Sequence, residues 1–284
     1  MTMFNTEYYS LVAGLREITL TTENKNFDAR EIINEILCEV SKRDALSIEL
    51  LYRYYDCENL SSAHSGRQQH NALGLLSRAE IEAELREPSN LEEPLCDVIR
   101  LYNSGDTLDG DTSIGFERSL FEAYYNMCTR SRSQFLVRWS ATDRNIRNVS
   151  AAITARLKDI AVADVVVGDG DIVDQLRRSS ASDFGLRGVL PYIDSLITAI
   201  NDEENIVEKE RKIDNIRWSE VDEASTFDYF NLNAIMAYLV KLNIVARWSL
   251  LDPAHGREML ERLMAELSAK DKIKESSNSS LKHL

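Results

Sequence analysis

From Ile114 to Trp139 the apolar side chains Phe116, Leu120, Tyr124, Met127 and Cys128 recur at steps of three and four, and Phe135, Leu136 and Trp139 resume the stripe. That spacing puts them on one face of an α-helix. Similar stripes run through Ile32, Ile33, Ile36, Leu37 and Val40, and through Ile146, Val149, Ile153, Leu157 and Ile160. Another covers Leu232, Ile235, Leu239, Leu242 and Val245. Only 4 Pro and 11 Gly are spread over 284 residues, so long helices are favoured over a turn-rich β architecture. The expected fold class is all-α.

Along the chain, Asp28 is placed to cap a helix over 28–43, with Glu31 at the three-residue offset of a capping box. A second helix follows through Leu46, Ile48, Leu50, Leu51 and Tyr54. The polar stretch 57–75 reads as a loop, and short helices are expected near 77–86 and 91–103, divided by Pro88. Ser104 to Ser113 forms a clear break. Residues 201–217 are dense in charge and suit a solvated helix. Pro253 suits the first turn of a last helix carrying Met259, Leu260, Leu263, Met264 and Leu267.

One phrase occurs twice. Residues 135–143 read Phe-Leu-Val-Arg-Trp-Ser-Ala-Thr-Asp, and residues 244–252 read Ile-Val-Ala-Arg-Trp-Ser-Leu-Leu-Asp. Two of the three Trp lie in it. The phrase is expected to be a helical corner: the Arg near a helix C-terminus, Trp139 and Trp248 buried as wedges, Asp143 and Asp252 capping the helix that follows. A looser third copy is Arg53-Tyr-Tyr-Asp56. Three such corners predict helical hairpins in about three pseudo-repeated subdomains: 1–110, 111–200 and 201–272, with a flexible tail at 273–284.

The charge of −14 argues against a nucleic-acid partner, because neutralising phosphates needs excess Lys and Arg. Cys38, Cys57, Cys96 and Cys128 have no zinc-like spacing and read as reduced thiols, Cys38 as a small buried hydrophobe. With no charged-then-apolar leader and no long apolar run, the expected location is cytoplasmic. Gly168-Asp-Gly-Asp171 lacks the downstream ligands of a calcium loop and reads as a turn. No phosphate-binding or nucleophile-elbow motif occurs. No catalytic residue, metal ligand or cofactor is therefore expected. One local feature stands out: between Arg130 and Asp159 seven cations face two acids. Arg130, Arg132, Arg144, Arg147, Arg156 and Lys158 form a candidate basic zone for an acidic partner. The alternative is internal pairing with the acidic segment 201–223.

Three segments carry a family resemblance: Tyr8-Tyr9-Ser-Leu-Val-Ala-Gly-Leu15, Tyr54-Tyr55-Asp56-x-x-Asn59-Leu60, and Trp139-Ser-x-x-Asp143-Arg-Asn145-Ile-Arg147-Asn148. They resemble a bacterial family of uncharacterised proteins associated with V/A-type ATPase genes, which is similar to the C/d-type component of the central stalk in those enzymes. The resemblance implies a funnel-like all-α bundle without an active site. Its implied partners are the central-shaft and membrane rotor-ring subunits, and it would be peripheral to the membrane through them. The chain is short for that stalk component, and its 57–75 segment is long for a hairpin corner. A generic helical scaffold binding a protein partner is the competing expectation, and a helical enzyme with a buried pocket the third.

Overall fold

The computed structural model of the chain describes residues 7–20, 28–105, 112–201 and 205–250. Among the described residues every regular element is an α-helix. In chain order they are α1 (Tyr9–Gly14), α2 (Ala29–Glu39), α3 (Lys42–His64), α4 (Arg78–Arg86), α5 (Glu93–Ser104) and α6 (Thr112–Thr129). There follow α7 (Gln134–Leu157), α8 (Val162–Val165), α9 (Asp171–Arg178), α10 (Ile193–Asn201), α11 (Ile206–Ser225) and α12 (Leu232–Leu250).

Local chemistry sets the boundaries. The Asp28 carboxylate accepts from the backbone N–H of Arg30 and Glu31, capping α2 as the spacing predicts. Ser41 caps α3, and Ser77 with Glu80 closes a full capping box on α4. Pro sits in the first turn of α5, and Gly105 ends that helix in the left-handed region at φ 74°. α11 begins on Asn205, whose side chain accepts from Val207 and Glu208.

Two hydrophobic cores result. The larger joins Ile33, Ile48, Leu60, Leu95, Phe116, Leu120 and Leu136 to Ile235 and Leu239. Here α6 lies against α3, α5 and α7. The smaller gathers Ile146, Val149 and Ile153 with Val173, Phe184, Leu196 and Ile213. The long helix α7 serves both: its first half lines the larger core and its second half the smaller. Packing thus divides the helices within α7 and returns α12 to the first core.

The first copy of the repeated phrase is not a corner. α7 runs unbroken through Trp139 and Asp143, so both lie inside a helix. The break sits earlier, at 130–133, where the Ser133 hydroxyl accepts from the Leu136 N–H and starts α7. A serine cap in a polar Arg-Ser-Arg-Ser stretch separates α6 from α7; the apolar stripe continuing across it conceals the break. Asp143 is buried by packing rather than placed at a helix start, and Arg138 lies in the second turn of α7 rather than near a C-terminus. Arg247 does lie in the last turn of α12. Trp139 is buried and Trp248 half-buried. Asp252 and the helix expected from Pro253 lie outside the described residues.

The loop expected over 57–75 begins later, because α3 continues to His64. Its polar side chains explain why. Asn59 accepts from the Asn71 N–H at 2.6 Å and donates to the Asn71 carbonyl at 3.0 Å. Asp56 accepts from the Leu76 N–H at 3.0 Å. Arg30 donates to the Gly74 carbonyl at 2.8 Å. These helix residues supply the hydrogen bonds that the returning stretch of chain needs, so the segment reads as polar while half of it is helical. Cys38 is exposed rather than buried, whereas Cys57, Cys96 and Cys128 are buried free thiols.

Candidate functional site: an ion-paired joint between the two cores

Five helices meet where the cores adjoin, and charged side chains fill the junction. Asp143 on α7 has an Oδ2 that accepts from Arg147 Nε at 2.7 Å and from the Tyr125 hydroxyl of α6 at 3.3 Å. Its Oδ1 lies 3.4 Å from Arg217 Nε of α11. Arg217 also donates to Asp214 Oδ1 at 2.9 Å, one turn back on the same helix. Asp214 Oδ2 then takes Arg247 at 2.5 Å and the Trp248 indole N–H at 2.8 Å, both from α12. Arg247 reaches Glu210 at 3.0 Å as well. A continuous chain of alternating charge therefore runs Arg147–Asp143–Arg217–Asp214–Arg247–Glu210.

The two copies of the repeated phrase meet in this chain. The first contributes Asp143 and the second contributes Arg247 and Trp248, with the α11 pair Asp214 and Arg217 between them. Asp214 and Asp143 are buried, and the Arg217 side chain is only 13% exposed. Desolvating such charges is costly unless each is paired, which here they are. Burial pushes the Asp143 carboxyl toward protonation, but Arg147 and Arg217 outweigh it and hold its pKa below the usual aspartate range. Burial likewise disfavours the Arg247 charge, and Asp214 and Glu210 more than compensate. Arg147 also lies over the Tyr54 ring of α3, 4.5 Å from its centre.

A second polar group braces α3. Arg53 donates to Asp56 at 2.7 Å and pairs with Glu92 at 2.8 Å. Burial raises the Asp56 pKa despite the opposing Leu76 N–H and Arg53.

The candidate basic zone is distributed by these contacts. Arg147 turns into the joint. Arg144 packs against the Tyr125 ring at 6.0 Å and beside Gly168, where φ is +84° and a Cβ would meet Arg144 Nη1 at 3.0 Å. Arg156 covers the Phe184 ring at 3.6 Å and donates to the carbonyls of Ser179 and Ala181. Arg130, Arg132 and Lys158 are exposed, the first two before α7 and the third after it. Arg138 pairs with Glu223 at 2.8 Å, an instance of the internal pairing weighed against a docking role. Sequence reasoning missed Asp214 and Arg217. The available signal was their three-residue spacing inside a helix expected to be solvated.

Chemically, this arrangement holds helices together. Its carboxylates are occupied by guanidinium and indole donors, and arginine does not exchange protons at neutral pH. Among the described residues no group of three or more His, Cys, Asp or Glu could hold a metal ion, and no helix is long and apolar enough to cross a membrane.

The fold and joint define a class: all-helical proteins whose buried charges link helices. Residues 5–270 match the model of a family described as a protein of unknown function (DUF2764), and the chain belongs to that family. No curated protein matches it.

Proposed function

We propose that the protein is a non-catalytic helical adapter that serves in the central stalk of a V/A-type ATPase, coupling the shaft to the membrane rotor ring. The observation behind this reading is the ion-paired joint. A part that transmits torque must resist sliding between its helices, and interlocked buried charges oppose sliding because each displacement would strand a charge. The joint links α6, α7, α11 and α12 in this way. The family resemblance of the Tyr8, Tyr54–Asn59 and Trp139–Asn148 segments supplies the particular assembly. On this reading the chain acts on the cytoplasmic side, peripheral to the membrane through its partner subunits.

Copurification of a tagged chain with shaft or ring subunits tests the proposal. Recovery of the protein only as a free monomer, with ATPase assembly normal in its absence, would sink it. A second reading, a scaffold that binds a protein partner outside any ATPase, draws support from the aromatic side chains exposed at the α11–α12 corner.

A further inference from the structure

We propose that the corner between α11 and α12, together with the start of α1, docks a basic amphipathic segment of a partner protein. This goes beyond the adapter reading, since it holds for whichever assembly the chain joins. Phe227 is 87% exposed, Tyr229 66% and Tyr9 60%. The Tyr9 and Phe230 rings lie 4.7 Å apart, which makes them one surface rather than scattered side chains. Neighbouring contacts fix its position: the Tyr8 N–H donates to the Phe230 carbonyl, and the buried Tyr8 ring places its hydroxyl on Asp44 at the start of α3. Tyr8 thus secures α1 while the adjacent Tyr9 faces outward. Exposed aromatic rings held by a fixed backbone are suited to recognition, because little side-chain entropy is lost on binding.

Charge selects the occupant. Along the chain no Lys or Arg lies between Arg217 and Lys241; of the four acids there, Asp222 pairs with Lys241 and Glu223 with Arg138, and Asp228 is the one at the corner. Asp228 sits between the exposed rings, and its partners are the neutral amides of Asn231 and Asn233. Exposed Glu7 adds an acid beside Tyr8. Aromatic faces bordered by the carboxylates of Asp228 and Glu7, the rim of this surface, attract guanidinium and ammonium groups, through the ring quadrupole and through direct pairing. The same rim repels an anionic lipid surface. The complementary ligand is a segment that carries Arg or Lys beside aliphatic side chains.

The test is Phe227→p-benzoylphenylalanine in the full chain, photo-crosslinked in the native cell, with the attached peptide identified by mass spectrometry. The expected result is a crosslink to one protein segment with net positive charge. A synthetic peptide of that segment should bind the purified chain, weakening about tenfold in the Phe227→Ser, Tyr229→Ser double variant and with added salt. Both sites are exposed, so that variant keeps the fold. Crosslinks to lipid, to a second copy of the chain or to an acidic segment would overturn the proposal, as would equal peptide binding by both proteins. A basic segment from outside any ATPase would uphold the docking surface while refuting the central-stalk role.

Discussion

The Trp248 indole N–H donates to Asp214 Oδ2 at 2.8 Å, across the interface between α12 and α11. The same oxygen accepts from Arg247, and the other oxygen accepts from Arg217. One buried carboxylate thereby holds the end of α12, while Arg217 extends the linkage to Asp143 on α7. Removing it takes from the buried Arg217 its 2.9 Å partner, leaving only the longer contact with Asp143, and leaves the indole donor unpaired. Asp214→Ala is expected to lower unfolding free energy by about 3–5 kcal/mol, the usual cost of breaking a buried pair. Trp248→Phe, which loses a single donor to a charged acceptor, should cost about 1.5–3 kcal/mol. Urea unfolding checks both, and equal small effects would show that the carboxylate is not the hub.

Asp143 gives the joint a defined acid response. Its pKa is depressed in the folded chain, so as pH falls the unfolded state binds the proton first, and stability drops in that window. The contribution is fully present above the unfolded aspartate value of about 3.9 and is lost as pH falls through the lower folded value. Asp56 acts in the opposite sense: its raised pKa gives a contribution present below the unfolded value and lost as pH rises through the folded one. Comparison with Asp143→Asn isolates the first effect. The variant should be less stable than the parent at pH 7, and the gap should close as pH is lowered below about 4. A gap that stays constant with pH would show that Asp143 is not held ionised by its arginines.

The clamp between α3 and the chain at 71–76 gives a steric prediction. A Cβ on Gly74 would sit 2.6 Å from Asn59 Nδ2 and 2.7 Å from Asp56 Oδ1. Those atoms belong to side chains already committed to Asn71 and Leu76, so neither yields without losing a hydrogen bond. Gly74→Ala is expected to cost about 1–3 kcal/mol. Gly14→Ala, where a Cβ meets nothing within 4 Å, is the neutral control. Thermal melts of the two variants should separate clearly.

How much of this is readable from sequence depends on which interactions are local. The Asp28 cap, the short helices beside Pro88, the all-helical class and the α12 stripe each follow from residues within a turn or two of one another. The role of the repeated Arg-Trp-Ser phrase does not. Arg, Trp and Asp near helix ends and the same residues pairing inside a buried junction have identical local sequences; Asp214, 71 residues beyond Asp143, decides between them. Likewise Asn59 looks like loop polarity, and Asp56 like the end of a corner, until the chain at 71–76 returns to them. Exposed Cys38 shows the converse failure: it follows Leu37 in an apolar pattern, but the helical period turns it to solvent.

Tyr8 presents the last case, in which one hydroxyl positions a whole segment. Its oxygen accepts from the Ser41 N–H at 3.1 Å and donates to the Asp44 carboxylate. Both partners lie at the start of α3, so this one atom ties the segment before α1 to the body of the protein. α1 has six residues and no side-chain cap, too short to persist unless docked. Tyr8→Phe keeps the ring packing but removes the hydroxyl, leaving the Ser41 donor and the Asp44 acceptor without it. The expected loss is about 1–3 kcal/mol, and because α1 carries little of the core it should appear as local opening rather than global unfolding. Amide exchange should accelerate in 8–15, with α6 and α7 unchanged. Since Tyr9 keeps its place against Phe230 only while α1 is docked, the same variant should weaken partner binding at the aromatic corner without altering any exposed ring. Unchanged exchange in 8–15 would mean that the Tyr8 backbone bond to Phe230 and the ring contacts suffice to hold α1.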